Sequence, residues 1–209
     1  MADDRELDPS ASASASSSIG EGSRVTEQLV KGLTFQTARR HMREVYGDDA
    51  WELLMTSLPR RTRDLFETAE TTEWYPESEL RRFIHAVHEQ LAAGDDARFR
   101  EIARGLALAG INRFFRMIIG LTSARFVLRK VPTIWGRLRA GPARLTTSIA
   151  EDGRVLVHYD DYRYCRDPIY RQLSIANCQA LVVAATGEVP EAEVLGYDRY
   201  SMVLAFAVR

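Results

Sequence analysis

The feature that most narrows the fold is a change of period. Up to about residue 140 the apolar residues recur three and four apart, and from Leu145 onward they alternate with polar ones. The first spacing paints one face of a helix, the second one face of a strand. A run of helices followed by a hairpin, a helix and a second hairpin predicts an α+β chain: an N-terminal helical bundle packed on a small antiparallel sheet.

The boundaries follow from local chemistry. Leu29 to Tyr46 reads as the opening helix, closed by Gly47, and Asp48 or Asp49 caps a second in which Trp51, Leu54, Met55 and Leu58 share a face before Pro59 stops it. A short helix spans Thr62–Thr68. In WYPESELRRFIHAVHEQLAAG, Pro76 opens a helix whose first turn carries Glu77 and Glu79, and Gly94 ends it. Asp95 or Asp96 caps the next, Ala97 to about Gly120, where Gly105, Ala109 and Gly110 let another backbone come close. That makes it the central helix. Ser123 caps a further one through FVLRKVPTIWGRLRAG, broken or kinked at Pro132 and stopped by Gly141-Pro142. Leu145–Ile149 and Arg154–Tyr159 flank the turn AEDG, a helix runs from about Pro168 to Ala185, and Glu193–Gly196 with Ser201–Val208 make the second hairpin.

Composition sets the outer limits. Residues 1–22 carry an Ala/Ser repeat and no aromatic side chain, too little apolar surface to offset the entropy of ordering, so a disordered tail is expected before a single domain at 23–209. The tail carries a net charge of −4 and leaves +3 for the remainder of a chain whose formal charge is −1. That balance is too mild to suggest a nucleic-acid partner. The longest charge-free helical runs, Gly105–Asn112 and Met117–Ala124, fall far short of the roughly 20 apolar residues a bilayer span needs. With an acidic N-terminus and no apolar leader, the expected location is cytoplasmic.

Signatures of chemistry are sparse. G-x-S-x-G, P-loop and G-x-G-x-x-G motifs are all missing, which favours a non-enzymatic protein. His85 and His88 share a helix face with Glu89 beside them, but zinc normally takes three or four protein ligands, so a solvated or packed pair is expected and no metal site. Cys165 and Cys178 lack metal or redox spacing and read as two reduced core thiols. Arginines recur through the apolar helices, and Arg113 and Arg116 in INRFFRMI are the pair expected to be partly buried. In VHYDDYRY the side chains of Tyr159, Asp161 and Arg163 alternate. In an extended chain they would share one surface, either as a clamp for an acidic ligand or as a salt bridge tying hairpin to helix.

Several phrases carry a resemblance. VKGLTFQTARRHMREVYGDDAWELL, WYP, GDD, LRKVPTIWGRLRAG and a Cys after the hairpin look like a paralogous family without assigned activity, found largely in myxobacteria. The stretch from Lys31-Gly32 to Tyr46-Gly47 also resembles the opening of haem nitric-oxide/oxygen-binding (H-NOX) sensor domains, and Tyr159-Asp160-Asp161-Tyr162-Arg163 is similar to their Y-x-S-x-R propionate clamp, with aspartate in place of serine. That resemblance implies an H-NOX-like fold within a wider group that takes in 4-vinyl-reductase-type sensors and the palmitoyl-pocket subunits of a tethering complex. The family's proximal histidine has no counterpart, since no His occurs between His88 and His158, and the expectation is therefore of no cofactor, haem included.

Taken together, the expected function is a non-enzymatic ligand-binding or sensory module that takes a small hydrophobic or acidic molecule, a lipid included, in an apolar pocket between helices and sheet. Arg113, Met117, Leu121, Phe126, Trp135 and Tyr162 are the expected wall, with Tyr159 and Arg163 at the rim. The alternative is a homodimeric interaction or scaffold module whose pocket is filled with side chains, and a haem gas sensor stands third.

Overall fold

The computed structural model describes residues 27–111 and 122–208. Mixed α and β architecture is present as the change of period requires, but the order begins with a strand. β1 (Leu29–Lys31) occupies the start of the expected opening helix and is the middle of a three-stranded antiparallel sheet, flanked by β2 (Trp74–Pro76) and β3 (Arg139–Ala140). Leu29 faces both Pro76 and Ala140 across this sheet. It therefore ties together segments far apart in sequence. Gly32 follows at once, where a side chain would collide with the Glu70 carbonyl and the Tyr75 ring.

α1 (Leu33–Ser57) is one helix in outline and two rods in fact. Gly47 has φ 84° and ψ 171°, a backbone that costs glycine little and other residues much, and it bends the helix at the point where the sequence predicted one helix to close and a second to begin. α2 (Arg60–Thr68) follows Pro59, and α3 (Glu77–Ala86) follows Pro76 and relaxes into a single π turn at Val87–Leu91. Asp95 caps α4 (Asp96–Gly110) by accepting from the Arg98 amide at 2.7 Å. Ser123 caps α5 (Ala124–Arg129), and α6 (Val131–Leu138) has Pro132 in its first turn, where a missing amide is harmless. α7 (Pro168–Thr186) is capped by Asp167, which accepts from the Ile169 and Tyr170 amides, and ends at Gly187 with φ 77°.

A four-stranded antiparallel sheet in the order β4-β5-β7-β6 completes the fold, from β4 (Arg144–Ile149), β5 (Val155–Asp160), β6 (Glu191–Tyr197) and β7 (Met202–Ala207). Val155, Val157 and Tyr159 of β5 pair with Phe206, Leu204 and Met202 of β7, and all six side chains are buried on the face towards the helices. Burying a large apolar side chain contributes about 1.5–3 kcal/mol, so this alternation fixes the register. α7 packs along α4 and contacts α5 and α3, and so forms the spine between bundle and sheet. A second cluster, Phe35, Trp51, Phe66 and Phe83, closes the far end of the bundle, with Phe66 meeting Phe35 and Trp51 edge-on at 5.3 Å between ring centres. Among the described residues no helix is long and apolar enough to cross a membrane.

Candidate functional site

Two neighbouring features occupy the middle of the molecule. The first is a buried ion pair. Glu77, the first residue of α3, is fully buried, and its amide donates to the carbonyl of Gln28, the residue before β1, at 2.9 Å. The Arg139 Nε of β3 donates to Glu77 Oε1 at 2.7 Å, and the Tyr162 hydroxyl donates to the same oxygen at 3.3 Å. Burial pushes the Glu77 carboxyl up, and the Arg139 guanidinium beside it opposes that shift. Burial also raises the Tyr162 and Tyr170 hydroxyls well above their ordinary value, so both stay protonated. Glu77 Oε2 and the Tyr170 hydroxyl are buried without a partner among the described residues.

The second is an apolar cavity of about 350 Å³. It lies between α1, α3, α4, α6 and α7, with Tyr159 of β5 as its single contribution from the four-stranded sheet. Leu80, Phe83, Leu106, Ile134, Leu173 and Leu181 give the wall its character. Trp135 is the partition between the two features: its ring stands edge-on to Tyr159 and Tyr162 at 5.5 and 5.3 Å, and the Arg139 guanidinium lies 5.1 Å from its centre. Arg139 and Trp135 face the cavity as well as the ion pair. Cys178 lines the cavity beside Tyr159, to which it is hydrogen-bonded, and burial pushes its thiol up to about 12.

The structure places the expected wall residues in three environments. Trp135 and Tyr159 line the cavity. Tyr162 is buried behind Trp135, against Glu77. Phe126 is 49% exposed, because α5 is only six residues long and spends its inner face on Ala124, Val127 and Leu128. Arg163 lies in a separate surface depression with Asp161, Arg199 and Tyr200. Arg113, Met117 and Leu121, and Arg116 with them, fall outside the described residues.

The shared face of Tyr159, Asp161 and Arg163 does not form. β5 ends at Asp160, and Asp161 has φ 53°, a left-handed residue that breaks the alternation. Tyr162 instead of Asp161 then follows Tyr159 into the core, and Asp161 and Arg163 are turned outward. His85 and His88 also part company: His85 Nε2 meets Asp167 at 2.8 Å while His88 Nε2 meets Asp96 at 3.0 Å. Among the described residues no three metal-ligating side chains converge.

Arg137 and Arg139 belong to the arginines that recur through the apolar helices, but nothing in the sequence marks Glu77 as the partner of one of them. Glu77 has the position of an ordinary first-turn acid, and nothing local marks a partner 62 residues away. The cue for Arg139 was its place two residues before the Gly141-Pro142 stop, in a stretch short enough to form one rung of a sheet.

Solved structures share this architecture. An H-NOX protein from K. algicida in the Fe(II) unliganded form superposes with a TM-score of 0.57 at 10% identity, covering 86% of this chain and 96% of that one. One from S. oneidensis in the Fe(II)NO state gives 0.57 at 14%, covering 86% and 99%. A structure described as probing the function of haem distortion in the H-NOX family gives 0.59 at 17%, covering 86% and 95%. The chain thus has the H-NOX-like fold. No protein-family model matches it, and no curated protein does. The expectation of no cofactor, which rested on the missing proximal histidine, is corrected by these neighbours, which are described by their haem distortion and Fe(II) states.

Proposed function

We propose that the chain is a ligand-binding module of sensory type, without catalytic chemistry of its own, which holds a small molecule in the cavity bounded by α1, α3, α4, α6 and α7. The observation that carries this reading is the cavity itself. About 350 Å³ of space walled by leucine, isoleucine and aromatic side chains lies within the range of small-molecule sites, whereas interiors are ordinarily packed with few voids larger than a water. The polar groups in the wall are few, which suits a largely apolar ligand fixed by one or two hydrogen bonds.

Haem is tested by the donors present. Arg137 and Arg139 are cations of the sort that meet carboxylates, but the described lining contains no imidazole, and the Cys178 thiol, at about 12, is not a thiolate at neutral pH. Tyr159 and Cys178 are the side chains of the described lining that could meet an iron, and burial keeps both protonated at neutral pH.

The test is native mass spectrometry with an absorption spectrum on protein purified gently from its own host. A reproducible added mass that leaves on denaturation is the expected result, and a Soret band would identify the occupant as haem. A bare mass, carried by a homodimer, would overturn the reading in favour of an interaction module.

A further inference from the structure

The electrostatics of the cavity say more about its ligand than its shape does. Two arginines line it and, among the described residues, no aspartate or glutamate does. Arg139 is already neutralised by Glu77. Arg137 is different: it is exposed, it projects from the last turn of α6, and it has no ion-pair partner among the described residues. An exposed side chain that also lines a cavity marks its mouth, and Leu33, 37% exposed, marks the same opening from α1.

A second observation agrees in sign. The first turn of α1, whose Leu33 and Thr34 line the cavity, carries no acidic side chain, and its Gly32 and Leu33 amides are met by the neutral Glu73 and Thr71 backbone carbonyls, so no negative charge stands on this side of the opening either.

Resting on the reading of the cavity as a ligand site, we propose that the ligand is an amphipathic monoanion: an alkyl or aryl body buried against Leu106 and Leu181, with its carboxylate at the mouth beside Arg137. An acid placed the other way would set its charge among leucines, which costs far more than the guanidinium contact returns. A neutral ligand of the same shape would leave the positive mouth unused.

The experiment is calorimetric titration of the full chain with decanoate and with 1-decanol, which share a body and differ in the head. Decanoate is expected to bind about fivefold more tightly, as suits an ion pair at a solvated rim, and the difference should shrink as salt rises. R137Q should remove the preference while leaving decanol affinity as it was, and R137K should keep part of it. Because Arg137 is exposed, an unchanged urea midpoint confirms that R137Q is folded. Equal binding of the two probes, or an R137Q that weakens both alike, would overturn the head-group assignment and leave the cavity standing. Failure of both probes to bind, or binding that survives A107F, which fills the cavity, would overturn the ligand site itself.

Discussion

The ion pair and the cavity lie on opposite sides of one tryptophan, share Arg139, and are opposite in kind. On the Glu77 side a carboxylate, two phenols and a guanidinium are buried together, tied through Glu77 Oε1, and loss of the Arg139 partner would leave a charge stranded in the core. On the Leu106 side the groups are apolar and the space is not filled. The contrast separates rigidity from occupancy: one half is held by a buried ion pair that fixes α3 to β3, the other leaves room for something to arrive.

The largest expected effect breaks the first half. Arg139→Ala leaves the Glu77 carboxylate buried and alone and should cost about 3–5 kcal/mol, read as a lower urea midpoint. Replacing both partners, Glu77→Leu with Arg139→Met, should be close to neutral by the same measure, since it removes two desolvated charges together. A double variant as damaged as the single would show that the pair does more than compensate itself.

Next comes the second half. Ala107 lines the cavity and keeps part of its surface accessible, so Ala107→Leu should raise stability by about 0.5–2 kcal/mol by occupying open space. In a fully packed core the same change would cost about 1–3 kcal/mol, so the sign of the shift decides whether the two halves differ as described.

A smaller effect tests the element common to both, since α7 contributes Tyr170 to one and Cys178 to the other. Its cap, Asp167, is held below the usual carboxylate range by Arg81 at 2.6 Å and His85 at 2.8 Å, which outweigh its burial. A depressed native pKa contributes stability that is present above the unfolded value near 3.9 and disappears as pH falls through the native one. Asp167→Asn keeps a capping oxygen but should flatten the acid limb of a stability profile below about pH 4, by under about 1 kcal/mol because Arg81 is well exposed. An unchanged acid limb would mean that the cap alone anchors α7.

The last prediction costs no stability. Both thiols are pushed up to about 12, so both should react slowly with a disulfide reagent at neutral pH and quickly once unfolded. Only Cys178 lines the cavity, so a bound ligand should slow Cys178 and leave Cys165 as it was. Mass-mapped labelling separates the two.

What could be read in the sequence follows the range of the interactions. The hairpins, the caps at Asp95 and Ser123, the helix break at Gly47 and the ends of α7 are dictated by neighbours a few residues apart, and each was legible. β1, β2 and β3 were not. They have three, three and two residues, too few to show a period, and exist only because they pair across the chain. The same limit hid the site. Trp135 and Tyr159 could be picked out as large side chains beside a predicted sheet, but a single left-handed residue at Asp161 decided that Tyr162 would go inward and Arg163 outward.

The position of Trp135 also has an optical consequence. Its indole sits perpendicular to two tyrosine rings and under a guanidinium, with its other side open to the cavity, while Trp51 is enclosed in the phenylalanine cluster and Trp74 lies near the surface beneath Lys31. Excitation absorbed by Tyr159 and Tyr162 therefore drains into the one indole that an occupant would touch. The molecule carries its own lamp at the partition, and the colour and brightness of that emission report whether the room beyond it is full.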